Sequence, residues 1–225
     1  MNIQGFQKLT LLDFPEKTAC TIFTGGCNLR CPFCHNGSLV KNPIESENKE
    51  AEVLAYLEKR KGILDGVCIT GGEPLLQPDI IDFIEKVKAM GYLVKLDTNG
   101  AMPEKLKSAI PYIDYIAMDV KSSFKNYSLA TGSEIDVDNF KRSIDIIRNS
   151  GKKYEFRTTA VKGIHKKEDF IEIAKHLKGE NKYFIQKFVD SGNLLQGGEA
   201  FSKDEILEIL EEVKKYVPGA ELRGE

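Results

Sequence analysis

Three of the five cysteines fall in the run Gly25-Gly26-Cys27-Asn28-Leu29-Arg30-Cys31-Pro32-Phe33-Cys34-His35-Asn36. The spacing Cys27-x3-Cys31-x2-Cys34 puts three thiolates in one short loop. Three thiolates can hold an iron-sulfur cluster and leave one iron without a protein ligand, because a four-iron cluster ordinarily takes four cysteines. That open iron is where chemistry would happen.

Two other readings of the loop stand beside this one. If the run were helical, the three cysteines would share one face and form an apolar stripe; Pro32, Gly25, Gly26 and Gly37 oppose a helix there. A closed zinc site wants four ligands, and His35, directly after Cys34, is awkwardly placed to share one small ion with it. Cys20 lies four residues before the end of its predicted strand, roughly 13 Å back at about 3.3 Å per residue, and is expected as a buried structural thiol. Cys68 is expected likewise, although two residues before Thr70 it also stands as a weak fourth-ligand candidate.

The rest of the chain has to position that loop. At 225 residues a single domain spanning 1–225 is expected, large enough to bury roughly three quarters of its unfolded surface without disulfides or a structural metal. A metal site here would therefore be functional. Lys and Arg number 32 against 34 Asp and Glu, a formal charge of −2, and no long basic stretch recruits a phosphate backbone, so nucleic acid is not an expected partner. The first residues lack a basic segment followed by an apolar run, and nothing approaches the ~18 apolar residues of a membrane span. A cytoplasmic protein with no membrane partner is expected, its unevenly clustered cysteines serving metal or redox chemistry.

Short apolar runs alternate with helical segments, which predicts an α/β fold. Candidate strands cover 18–24, 66–70, 92–97, 113–119, 153–161 and 182–188, each followed by a helix candidate: a 1–17 extension, six β-α units over 18–217, and a 218–225 tail. Ile80, Phe83, Ile84 and Val87 recur at helical spacing between Pro78, read as a first-turn proline, and Gly91. Ser202 and Glu205 form a capping box before Ile206, Ile209, Leu210 and Val213. Parallel strands of this kind either close as a barrel or fan as an open sheet, with ligands beyond their carboxyl ends in both cases. The polar motifs gather at those ends: the cysteine loop, Gly71-Gly72-Glu73-Pro74, Asp97-Thr98-Asn99-Gly100 and Met118-Asp119-Val120-Lys121. A second Gly-Gly-Glu at Gly197-Gly198-Glu199 lacks the proline and the preceding strand, and reads as a loop.

A cofactor with amino and carboxylate donors suits the open iron, and S-adenosylmethionine offers both. The cysteine spacing with Phe33 before its last member, followed by Gly71-Gly72-Glu73-Pro74, resembles the radical S-adenosylmethionine superfamily. Asp13-Phe14-Pro15, then Phe23 to Asn36, resembles its glycyl radical enzyme activating branch. Within that branch, Gly5-Phe6-Gln7-Lys8-Leu9-Thr10, Gln186-Lys187-Phe188 and Glu221-Leu222-Arg223-Gly224 are similar to the anaerobic ribonucleoside-triphosphate reductase activating proteins. Pyruvate formate-lyase activators show Asp-Gly-Pro-Gly where this chain has Asp13-Phe14-Pro15-Glu16, and the inserted ferredoxin-like region of other activases has no counterpart here.

The resemblance implies a partial (β/α)6 TIM-like barrel, open on one side, and a radical enzyme. Cys27, Cys31 and Cys34 would hold a 4Fe-4S cluster whose fourth iron takes S-adenosylmethionine; an external one-electron donor such as flavodoxin or ferredoxin would reduce it, and a glycine of a partner protein would receive the radical. Phe33, Gly71, Gly72, Glu73, Asp97, Thr98, Asn99, Asp119, Lys121, Arg157 and Gln186 are the implied cofactor contacts. Asp97, Thr98, Met118 and Asp119 alternatively share a monovalent cation, and Asp13 meets the partner's glycine loop or caps a turn. Relatives carry a histidine near Gln186. His165 and His176 read as surface residues. Rival functions are a small-molecule radical enzyme of the deazapurine synthase type, an activase of pyruvate formate-lyase, and a non-catalytic zinc or electron-transfer protein.

Overall fold

The computed structural model describes residues 1–41, 49–180, 182–190 and 192–224. In chain order, β1 (Ile3–Thr10) runs antiparallel to β2 (Ala19–Thr24); α1 (Gly37–Lys41) and α2 (Lys49–Glu58) precede β3 (Gly66–Gly71). The units α3 (Ile80–Ala89) and β4 (Leu93–Thr98), then α4 (Pro103–Ala109) and β5 (Tyr115–Asp119), follow. Next come α5 (Tyr127–Thr131), α6 (Val137–Arg148), β6 (Lys153–Lys162), α7 (Lys167–His176), β7 (Tyr183–Lys187), β8 (Glu199–Ala200), α8 (Lys203–Lys214) and β9 (Ala220–Arg223). The sheet order is β1-β2-β3-β4-β5-β6-β7-β9, parallel from β2 onward, with β8 pairing antiparallel to the end of β6.

The strands alternate because their two faces meet different surroundings. Ile22, Ile69, Leu96 and Ile116 sit side by side in register, all fully buried in the hydrophobic core. One position away, Thr21, Cys68, Lys95 and Tyr115 form a second row on the opposite, inner face. Two residues further along that face come Thr70, Asp97, Ala117 and Glu155, and then Asp119 beside Arg157. Polar side chains are thus stacked inside, and the aliphatic half of each strand packs under the helices.

At the amino ends of the strands Phe14 packs with Ala19, Leu93 and Tyr115. Gly66 makes room for its ring: a Cβ there would lie 2.8 Å from Phe14. Glu16, in the turn that carries Phe14, takes φ +63°, the left-handed region that glycine adopts without penalty.

The sheet is open between β1 and β9, and the six predicted β-α units are present. Three details differ from the sequence expectations. The 1–17 extension contains β1 and the 218–225 tail contains β9; both are edge strands, whose positions are set by a neighbour rather than by local turn signals. Glu199 and Ala200 of the second Gly-Gly-Glu segment pair with Lys162 and Val161. Pro78 lies outside α3, whose N-cap is Asp79. The Ser202–Glu205 capping box forms as predicted. Among the described residues, no helix is long and apolar enough to cross a membrane.

Candidate active site

Cys27, Cys31 and Cys34 line one cavity of about 250 Å³ at the carboxyl ends of the strands. All three are free thiols, Cys31 buried and the other two half-buried. Their loop is held from several sides: Gly26 N donates to Leu39 O (2.9 Å), Arg30 N to Thr131 O (2.8 Å), and Gln196 N and Gly197 N to Pro32 O (2.9 and 3.2 Å). The last two contacts give the second Gly-Gly-Glu segment a purpose invisible in its composition, as a buttress of the cysteine loop. Asn99 Nδ2 lies 3.7 Å from Cys27 Sγ, and Leu29 N donates to that sulfur at 3.4 Å. Burial pushes the Cys31 thiol up to about 11 and raises that of Cys27.

The second motif is pressed against the first. Glu73 N donates to Gly26 O (2.8 Å), and a Cβ on Gly72 would lie 1.8 Å from that oxygen. Gly71, at φ +112°, would place a Cβ 2.4 Å from Thr24 N. Both glycines are therefore required by the packing of two loops, and both also line the cavity.

Glu73 is 1 % exposed and lies behind the wall that these glycines make. Its carboxylate accepts from Leu75 N (3.1 Å), Thr98 Oγ1 (2.9 Å) and Asn99 N (2.7 Å). It ties the end of β4 to the Gly71-Gly72 turn and caps the short 3-10 turn at Pro74–Leu76. Burial pushes this carboxyl up to about 7, against the three donors that favour its anion. Because the native value lies above the roughly 4.3 of an unfolded glutamate, stability is greatest below that lower value and falls as pH rises through about 7. The expected loss is at most about 1.4 kcal/mol per pH unit in this window, and Glu73→Gln removes the slope. Urea unfolding at pH 5 and pH 8 checks it; parallel curves for variant and wild type would refute it.

Charged groups alternate across the inner face. Arg157 donates to Asp119 (2.8 Å) and Asp97 (3.2 Å) and lies 3.9 Å from Glu155. Lys121 pairs with Asp119 (2.9 Å) and buried Lys95 with Asp97. Deeper, Arg223 makes a two-pronged pair with Glu155 (2.7 and 2.8 Å), which also accepts from Tyr115 Oη (2.8 Å). Burial opposes the charges of Asp97, Asp119 and Lys121. The neighbouring cations nonetheless hold Asp97 and Asp119 below the usual carboxylate range, and Asp119 holds Lys121 above the usual lysine range.

The structure brings Phe33, Gly71, Gly72, Asp97, Thr98, Asn99, Asp119, Lys121, Arg157 and Gln186 to the cavity wall with the cysteines. Of the suggested monovalent-cation set, Asp97, Thr98 and Asp119 share the wall, with Asp97 paired to Lys95 and Arg157, Asp119 paired to Lys121 and Arg157, and Thr98 Oγ1 donating to Glu73, while Met118 is buried and does not line it. Asp13 accepts from Thr21 Oγ1 towards the base of the inner face. Cys20 and Cys68 are fully buried, Cys68 3.9 Å from Lys95 Nζ and absent from the cavity wall.

His165 corrects a sequence expectation. It is 3 % exposed, not a surface residue, because it fills the space beneath the cysteine loop with its ring edge-on to Phe33 at 6.0 Å. His176 is exposed. The wall also includes Thr159, which sequence reading passes over, and Asn36, which it reads only as the end of the cysteine motif; Asn36 Nδ2 donates to Gly71 O (2.8 Å).

The donor set fits an iron-sulfur cluster: three thiols from one pinned loop line a single cavity, three ligands where a closed zinc site takes four. The adjoining cations and carboxylates suit a zwitterionic ligand.

Comparisons with known proteins agree with this geometry. Residues 21–177 match the family model described as the Radical SAM superfamily. A Methanocaldococcus jannaschii protein, provisionally named a glycyl-radical enzyme activating enzyme, is 32 % identical over 98 % of this chain and 95 % of its own. The pyruvate formate-lyase-activating enzyme of Clostridium pasteurianum is 28 % identical over 78 % of this chain and 76 % of its own. Streptococcus suis SuiB, solved bound to S-adenosylmethionine, shares the fold with a TM-score of 0.67 at 18 % identity, covering 88 % of this chain and 48 % of SuiB.

Proposed function

The chain belongs to the Radical SAM superfamily, and from that we propose that it activates a glycyl radical enzyme, with anaerobic ribonucleoside-triphosphate reductase as the favoured target. The observation that carries the proposal is one cavity in which three cysteines of a single loop face a lattice of paired Asp, Lys and Arg side chains, beside a sheet left open between β1 and β9. An open side admits a segment of another protein, which a closed barrel mouth would not.

When bound, the cluster and S-adenosylmethionine would supply one-electron radical chemistry directed at a glycine Cα–H bond. The chain's own residues do the rest. Cys27, Cys31 and Cys34 hold the cluster, and the Gly71-Gly72 turn lets backbone approach the cofactor. Lys121 and Arg157 receive its carboxylate, Asp97 and Asp119 its ammonium and ribose groups, and Phe33, Thr98, Asn99 and Gln186 complete the wall. Glu73 acts from behind that wall by fixing Thr98 and Asn99. Asp13 reaches the inner face from the base, where we assign it to the tip of the partner's glycine segment. A flavodoxin- or ferredoxin-like donor supplies the electron.

The choice of target rests on the opening 5–10, Gln186-Lys187-Phe188 and the ending 221–224. Two of these stretches enter the architecture directly: Gln186 lines the cavity, and Arg223 holds β9 to Glu155. The test is electron paramagnetic resonance after anaerobic reconstitution with reductant and S-adenosylmethionine. A glycyl-radical doublet is expected with the anaerobic reductase and none with pyruvate formate-lyase. The reverse pattern would overturn the target, and no 5′-deoxyadenosine from cluster-loaded protein would overturn the activity.

A further inference from the structure

Lys121 leaves the end of β5 just where strand pairing stops, yet its peptide is gripped on both sides. Lys121 N–H donates to Tyr127 Oη (3.2 Å), and His165 Nε2 lies 2.7 Å from the Lys121 carbonyl. Val161 N donates to His165 Nδ1 (3.1 Å), which leaves the proton on Nε2 and makes that nitrogen the donor. Both clamping side chains are buried and neither lines the cavity. Tyr127 is fixed in turn between Phe124 (5.9 Å) and Phe140 (4.4 Å), and His165 between Phe33 (6.0 Å) and Phe170 (5.5 Å).

A lysine ammonium on four rotatable bonds is a loosely placed charge unless its backbone is held. Here the ammonium lies against Asp119, and its charge also faces Cys31 and Cys34. We propose that Tyr127 and His165 are positioning residues that clamp the Lys121 peptide and so aim its ammonium into the cofactor cavity. This inference rests on the cofactor reading above. Its particular content is that two buried residues outside the cavity act on cofactor binding through Lys121 alone.

The test measures the S-adenosylmethionine dissociation constant by equilibrium dialysis on cluster-loaded protein, with thermal melts reporting folding. His165→Phe keeps the ring packing and removes both hydrogen bonds; Tyr127→Phe removes only the acceptor. Each is expected to weaken binding about tenfold, the usual scale for residues that orient a ligand-contacting group. His165→Gln, which keeps a donor, recovers part of the loss. The decisive arm is a double-mutant cycle: in a Lys121→Met background, His165→Phe adds less than about a twofold loss. Losses that multiply in the double variant, or wild-type binding by both single variants, would overturn the clamp. If His165→Phe fails to fold, Tyr127→Phe in the same two backgrounds decides the matter. No binding by cluster-loaded wild type rejects the cofactor reading itself, and with it this inference, whereas wild-type binding with indifferent variants rejects the clamp alone.

Discussion

Alanine at Cys27, Cys31 or Cys34 should leave a folded protein that holds no iron-sulfur cluster and releases no 5′-deoxyadenosine above background. A three-cysteine cluster has no spare ligand: Cys20 and Cys68 are buried in β2 and β3, outside the cavity wall, and His35, although on that wall, directly follows Cys34. The loop keeps its shape without the cluster, because Gly26, Arg30 and Pro32 are pinned through backbone bonds that no cysteine side chain makes. Loss of metal should therefore come with little loss of secondary structure. Cys20→Ala and Cys68→Ala should show the opposite profile, with full iron and sulfide and a stability cost of about 1–2 kcal/mol for the buried volume removed. Iron and sulfide analysis, circular dichroism and product release on the five variants check this together. A Cys31→Ala protein that still loads four irons would disprove the ligand assignment.

Arg157→Met should cost about 3–5 kcal/mol of stability at neutral pH, the scale for removing one partner of a buried ion pair. Arg157 is the only side chain that touches both Asp97 and Asp119 among the described residues, and its own side chain is 13 % exposed. Without it two carboxylates held below their ordinary range face one another with Lys95 and Lys121 alone to balance them. The sign follows from that depression. The Arg157 contribution is complete above the unfolded aspartate value of about 3.9 and fades as pH falls through the native range, so wild type and variant should converge in acid. Arg157→Lys should recover only part, because an ammonium cannot reproduce the guanidinium fork. Urea unfolding from pH 7 to pH 3 makes the measurement. A loss under about 1 kcal/mol at pH 7 would mean that the two aspartates do not depend on this bridge.

Much of the architecture is readable before any coordinates. The cysteine loop and the motifs closing β3, β4 and β5 are legible because each is local, a strand's alternation ending in residues that do not continue it. Their convergence then follows from parallel topology. What is illegible depends on distant partners. His165 looks like a surface residue until Lys121 O, 44 positions away, supplies its hydrogen bond and Phe33 its ring contact. Glu73 reads as a cofactor ligand from its motif, yet its oxygens are spent on Leu75, Thr98 and Asn99, a commitment visible only when β3 and β4 are adjacent. The edge strands β1 and β9 escape for a similar reason: each is defined by one neighbour and carries no turn signature of its own.

The contact between Gly72 and the carbonyl of Gly26 reaches beyond local packing. Two segments that look like independent motifs are one mechanical part, with no room between them for a single methyl group. A designer who grafts the cysteine loop onto another scaffold must carry the distant glycine turn with it. A substitution that thickens either segment must be answered by retreat in the other, so the two are free to change only in concert.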